Sequence, residues 1–116
     1  ATALEQIETA IQASANHGNR FMTAESHRVR GEILLASPDH DEAAAEAAFQ
    51  ESLVIARSQS AKSWELRTAT SLARLLHSQG KSTEARALLE PAVNQMPSGR
   101  ELADQIDAAA LLAELA

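Results

Sequence analysis

The chain has 116 residues, no cysteine, and 16 acidic against 10 basic side chains, which gives a formal net charge of −6. The length fits one domain with its own core, and the lack of cysteine excludes disulfides, thiolate metal sites and a cysteine nucleophile. The negative charge disfavours general binding to nucleic acid or to an anionic membrane, and no apolar run approaches the roughly 20 residues of a membrane span.

Good helix formers dominate the composition, whereas aromatic residues make up only 3% of the chain. An all-α fold is therefore expected. The spacing of apolar residues predicts six helices separated by short breaks. These helices are expected over residues 1–16, 21–36, 41–59, 63–78, 82–95 and 100–115.

Capping signals and turn residues mark the ends of these helices. Pairs with the spacing of a capping box predict three helix starts, at Thr2–Glu5, Asp39–Glu42 and Ser98–Glu101. Gly18 and Gly80 suit the left-handed conformation that ends many helices. Pro91 lies inside the fifth helix and removes the hydrogen bond to the Ala87 carbonyl, so we expect a kink there or a break just before it.

The clearest pattern is a helix–turn–helix unit between residues 69 and 92. One face of its first helix carries small and large apolar residues, namely Ala69, Leu72, Ala73 and Leu76. The facing helix carries the matching set Ala85, Leu89 and Ala92. This is the layout of a tetratricopeptide repeat, a helical pair that buries its apolar face only by stacking on copies of itself.

The same spacing recurs along the chain, at intervals of 42 and 40 residues. The stripe of the fifth helix, Ala85/Leu89/Ala92/Val93, matches Ala3/Ile7/Ala10/Ile11 in the first helix and Ala45/Phe49/Ser52/Leu53 in the third. His27/Gly31/Leu34 in the second helix matches Ala69/Ala73/Leu76 in the fourth. Gly31 inside a helix costs about 1 kcal/mol relative to alanine, and a close approach of two helices is the expected compensation. A non-repetitive Ala-rich bundle is the alternative interpretation.

These intervals predict one domain over residues 1–116, folded as an antiparallel, right-handed helix-pair solenoid of about six helices. Residues 1–18 are expected to form the second helix of a truncated repeat, followed by repeats over 20–60 and 61–97 and a C-terminal capping helix over 98–116. The buried stripe predicted for the capping helix consists of Leu102, Ile106, Ala109, Ala110 and Ala113, flanked by Leu112.

The chain is expected to be part of a longer one, because the first helix has no predicted hairpin partner before it. Leu4, Ile7 and Ile11 lie on an arc that the second helix alone does not cover. Leaving such side chains in water costs about 1.5–3 kcal/mol each relative to burial. We therefore expect the chain to associate with itself through Leu4, Ile7 and Ile11, most simply as a two-fold homodimer.

Residues 24–36 read AESHRVRGEILLA, and residues 49–92 read FQESLVIARSQSAKSWELRTATSLARLLHSQGKSTEARALLEPA. These stretches, above all HRVRGE and SWELRTATSLARL, resemble the carboxy-terminal tetratricopeptide-like region of large bacterial signalling ATPases. Such ATPases are often fused to class III adenylate/guanylate cyclase domains or to DNA-binding regulator domains. The resemblance covers roughly residues 20–115 and implies an ATPase or cyclase domain upstream.

The chain departs from the general repeat in three ways. Its period is about 40 rather than 34 residues. Arg30 stands where a large apolar residue is usual, and Ser52 replaces a small apolar residue. The chain also lacks a GxxxxGK[ST] phosphate loop, so no ATPase machinery is expected within it.

In a stack of helical pairs, the first helices line the concave face. The predicted partner-binding residues on that face are Arg28, Glu32, Arg67, Thr70, Arg74 and His77, with Glu25 beside them. Arg67 and Arg74 stand on nearly the same side of their helix, which predicts a locally basic strip suited to the carboxylates of an acidic peptide or a neighbouring domain. The alternative is a solvated face of Glu–Arg pairs, each worth a few tenths of a kcal/mol.

The sequence thus predicts a non-catalytic, cytoplasmic scaffold for protein–protein or interdomain interaction, without cofactor or metal. The four histidines show no i, i+4 pair, and no serine stands in a nucleophile motif. The expected partner is a peptide or a neighbouring domain of the same chain, and not nucleic acid or a membrane. Two alternatives are a self-association module and a small-ligand sensor with a pocket near Trp64. A packing anchor between repeats is the other interpretation of Trp64.

Overall fold

The computed structural model describes residues 2–16, 23–96 and 103–115. All regular structure in these ranges is helical, which confirms the all-α prediction with six helices. The helices are α1 (Ala3–Asn16), α2 (Thr23–Ala36), α3 (Glu42–Ser58), α4 (Lys62–Ser78), α5 (Ser82–Asn94) and α6 (Ala103–Leu115). Each lies within three residues of its predicted bounds.

The helices pack in two layers. Each helix packs against the next one along the chain, and short connections between such neighbours make them antiparallel hairpins. In addition, α2 packs against α4 and α4 against α6, whereas within the described ranges α1 does not reach α3 and α3 does not reach α5. The helices α2, α4 and α6 therefore form one continuous face, to which α6 adds the helix that was predicted as a cap.

The main core lies between these layers, and its largest fully buried apolar side chains are Phe49, Leu53, Leu66, Leu72 and Leu89. A smaller cluster of Ala24, Ile55 and Ala56 joins α2 to α3. Trp64, at the start of α4, packs against this smaller cluster. Its position is that of a packing anchor between the predicted repeats.

Gly31 is buried where α2 crosses α3. A Cβ atom placed on this glycine would lie only 2.5 Å from Cε1 of Phe49, which is itself fully buried. A side chain at position 31 would therefore collide with the ring. The close helix–helix approach predicted from Gly31 is confirmed.

The corners after α3 and α4 share one hydrogen-bonding pattern. After α4, Gly80 has φ +78°, its N–H donates to the His77 carbonyl, and the Lys81 N–H donates to the Leu76 carbonyl. This is a Schellman motif, in which one residue adopts the left-handed conformation. After α3, Ser60 takes that position with φ +54°, and Ala61 donates to Ala56 in the same way.

Replacing Ser60 by glycine is expected to stabilise the protein by about 1 kcal/mol, because glycine has no Cβ to strain the left-handed conformation. The reciprocal Gly80→Ser variant should lose a similar amount. Thermal unfolding followed by circular dichroism measures both changes. Equal melting temperatures for wild type and Ser60→Gly would show that this corner stores no strain.

Helix starts and the proline site differ in part from prediction. Thr2 caps α1 as predicted, since Glu5 N–H donates to its hydroxyl at 3.1 Å. The cap of α3 is Asp41, which accepts from Ala44 N–H at 3.0 Å, so the prediction of Asp39 was wrong. Helix α5 continues through Pro91, so of the predicted kink or break the break was wrong. Gly18 and the Ser98–Glu101 pair lie outside the described residues.

The predicted burial of α6 was wrong. Its buried residues are Ala108, Leu111 and Leu115, whereas Ala109, Ala110 and Ala113 are exposed and Ile106 is 56% exposed. Leu102 lies outside the described residues. The helix is turned so that Asp104 and Asp107 face α4, where they meet arginines. Apolar spacing alone did not indicate which face of α6 meets α4.

Candidate functional site

A polar groove of about 370 Å³ lies on the face formed by α2, α4 and α6. Its lining consists of Arg28, Glu32, Arg67, Thr70, Ser71, Arg74, Asp104 and Asp107. Five of the six predicted partner-binding residues are among them. The sixth, His77, is exposed near the end of α4, where its Nδ1 shares a hydrogen bond with the Ser82 hydroxyl at 2.9 Å.

Arg67 lies at the centre of the groove and joins three helices. Its Nη1 donates to Oε2 of Glu25 on α2 at 2.6 Å, and its Nη2 and Nε donate to Oδ2 of Asp104 on α6 at 2.8 and 3.2 Å. Glu25 also receives hydrogen bonds from Arg28. This chain of contacts fixes the relative positions of α2, α4 and α6.

Further ion pairs surround this centre. Arg74 pairs with Asp107, and both side chains are about half exposed, at 49% and 52%. Arg28 lies 3.9 Å from a carboxylate oxygen of Glu32. The three arginines of the groove therefore meet four carboxylates, those of Glu25, Glu32, Asp104 and Asp107.

The groove is consequently not a basic strip, and that prediction was wrong. The arginines were predicted to lie here, but Asp104 and Asp107 were not, because the opposite face of α6 was expected to be buried in the core. The i, i+3 spacing of the two aspartates was the available signal, since it places both on one side of the helix. The groove thus presents alternating charges rather than a positive field.

The carboxyl of Glu25 is partly buried, which by itself raises its pKa. Hydrogen bonds from Arg28 and Arg67 outweigh burial, so the pKa lies below its ordinary value. For Arg67, the hydrogen bonds to Asp104 and Glu25 raise the pKa further and keep the guanidinium charged. The centre of the groove is therefore ionised at neutral pH.

Replacing Glu25 by glutamine should lower the free energy of unfolding by about 1 kcal/mol at pH 7. A carboxyl with a lowered folded pKa stabilises the fold above its unfolded pKa, and this contribution disappears as the pH falls through the folded pKa. The difference between wild type and variant should therefore shrink towards pH 3. Urea unfolding at several pH values measures it, and a difference independent of pH would contradict the assignment.

The predicted self-association residues lie on α1, which packs only against α2 among the described elements. Leu4 packs against the main core, while Leu4, Ile7 and Ile11 all stay partly exposed. Arg30 of α2 pairs with Glu8 of α1, its Nε lying 3.3 Å from Oε1. This pair accounts for an arginine where the repeat pattern favours an apolar residue.

Within the described ranges, no three His, Asp or Glu side chains are grouped as ligands for a metal ion. No helix there combines the length and apolar character needed to cross a membrane. No protein-family model matches the chain, and comparisons with curated proteins and with solved structures give no match.

Proposed function

We propose that this chain is a non-catalytic scaffold that binds a protein segment in the groove between α2, α4 and α6. The segment would be a peptide or part of a neighbouring domain of the same protein. The resemblance to bacterial signalling ATPases suggests a cytoplasmic regulatory region beside an ATPase, a cyclase or a transcriptional regulator. The observation that carries the proposal is the groove itself, which lies across three helices and is lined by charged side chains.

The ion pairs of the groove differ in how easily a partner could replace them. At the centre, Arg67 donates a short hydrogen bond to Glu25 and so joins α4 to α2. Arg74 and Asp107 form a half-exposed pair, and such pairs contribute only about 0–1 kcal/mol. A partner carboxylate could therefore replace Asp107 on Arg74 at little cost, while a partner cation pairs with Asp107. Segments with adjacent acidic and basic residues fit this arrangement.

We expect Arg74→Glu to abolish peptide binding while changing the free energy of unfolding by less than about 1 kcal/mol. Arg86→Glu is the matched control, because Arg86 is about as exposed, pairs with Glu90 and lies on α5 outside the groove lining. A phage-displayed peptide library selected on the wild-type chain supplies the ligands. Arg67 is left intact, since it also bonds to Glu25 of α2 and Asp104 of α6.

Fluorescence anisotropy with the selected peptides compares the three proteins. Peptides that bind wild type and Arg86→Glu equally, and fail to bind Arg74→Glu, would support the groove as the binding site. Failure to enrich any peptide, or equal binding to both variants, would overturn the proposal.

A further inference from the structure

The contacts of Arg67 define equivalent positions in the three helices of one layer. Glu25, Arg67 and Asp104 bond to one another in a row across α2, α4 and α6. The residues three positions further along these helices, Arg28, Thr70 and Asp107, line the groove together. They therefore align the three helices in the same way. The groove-facing positions of α6 therefore align with those of α2 and α4, although the buried Leu111 stands where α4 has the exposed Arg74.

This register places Gly31, Ala73 and Ala110 at equivalent sites. In the first two hairpins the site is covered: Gly31 lies under Phe49 of α3, and Ala73 is fully buried in the core that contains Leu89 of α5. Ala110 is exposed, and so are Ile106 and Ala113, the equivalents of Ala69 and Leu76. In the described chain, the hairpin-forming face of α6 is open.

Helix α1 has the complementary open face. Its stripe has the spacing found in α3 and α5, with Ile7 at the position of Phe49 and Leu89. Ile7 is partly exposed, and Ala3 and Ala10 on either side of it are exposed. The equivalent face of α3 packs on α2. On α1, this face has no partner among residues 2–16, 23–96 and 103–115.

We propose that α6 of one copy of this chain docks on α1 of a second copy, and so continues the stack of hairpins from molecule to molecule. Ile7 of the second copy then lies on Ala110 of the first. The volumes fit the series within the chain, where Gly31 contacts Phe49 and the equivalent residues Ala73 and Leu89 are buried in one core. The outer face of α6 is also apolar, whereas a helix that caps a solenoid needs a polar outer face.

This association is heterologous, because two different faces meet, and it leaves one open face at each end. The mean mass should therefore rise continuously with protein concentration instead of stopping at a dimer. The proposal is independent of any ligand of the groove. It also differs from a two-fold dimer, in which α1 would meet α1.

Sedimentation of the 116-residue chain at micromolar concentrations, in about 0.15 M salt to screen its net negative charge, tests the proposal. Ile7→Glu alone and Ala110→Glu alone should each be monomeric. An equimolar mixture of the two should form 1:1 heterodimers and nothing larger, since each variant retains the face that the other has lost. Val54→Glu, at a site that is 61% exposed on α3, is the control and should associate like wild type.

Circular dichroism verifies that each variant is folded, and Ala10→Glu replaces Ile7→Glu if that variant is not. A monomeric wild type would overturn the proposal. So would an Ala110→Glu protein that associates like wild type, because a two-fold α1–α1 dimer predicts that outcome. Failure of the two folded variants to combine on mixing would also overturn it.

Discussion

Replacing Phe49 by alanine is expected to lower the free energy of unfolding by about 3–5 kcal/mol, the largest effect of any single change considered for this protein. The ring is fully buried and lies on Gly31, so its loss opens a cavity between α2 and α3. Urea unfolding followed by circular dichroism measures the change. A loss below about 1 kcal/mol would mean that the two helices collapse around the site.

A substitution at Gly31 tests its contact with Phe49 from the α2 side. Gly31→Ala gains about 1 kcal/mol of helix propensity but forces a methyl group against the ring, and such overpacking costs about 1–3 kcal/mol. The double variant Gly31→Ala, Phe49→Leu recreates the Ala73–Leu89 combination of the next hairpin. It should therefore lose less stability than the two single changes together, and strict additivity would contradict direct packing between the two residues.

The contact between Gly31 and Phe49 shows why much of the fold could be predicted from the sequence. Helix propensity, apolar spacing and turn residues act over one or two helical turns, and they agree with each other over α2 to α5. Gly31 and Gly80 were informative because each answers a steric requirement, a close approach in one case and a positive φ in the other. Local signals of this kind determine where helices begin, end and pack.

The orientation of α6 could not be predicted in this way. Alanines lie all around this helix, so apolar spacing favoured the face with Ile106 over the face with Leu111. The outcome depends on Asp104 and Asp107 reaching Arg67 and Arg74, which are far away in the sequence. The same contacts turned a predicted basic strip into a groove of paired charges. The i, i+3 spacing of the two aspartates places them on one side of α6, but nothing local in the sequence indicates which arginines they meet.

Ser52 is a second residue whose role could not be predicted, because from sequence alone it is only a departure from the repeat pattern. In the structure its hydroxyl is fully buried and links three helices. It donates to the Ala24 carbonyl of α2 at 2.6 Å, and because a carbonyl can only accept, the hydroxyl of Thr68 on α4 must donate to Ser52 at 2.7 Å. Ser52 therefore accepts the hydrogen bond of the buried Thr68 hydroxyl, which a small apolar residue could not do.

Ser52→Ala is expected to destabilise the protein by about 1–3 kcal/mol, because it leaves the buried Thr68 hydroxyl without an acceptor. Adding Thr68→Val removes the unpaired hydroxyl, so the double variant should be more stable than Ser52→Ala alone. Ser58→Ala is the matched control: its hydroxyl donates to the Ile55 carbonyl at the exposed end of α3, and its loss should change stability by no more than about 0.5 kcal/mol. Urea unfolding of the four proteins decides the matter. If Thr68→Val deepens the loss caused by Ser52→Ala, then packing of the Thr68 side chain, rather than its hydrogen bond, stabilises this junction of α2, α3 and α4.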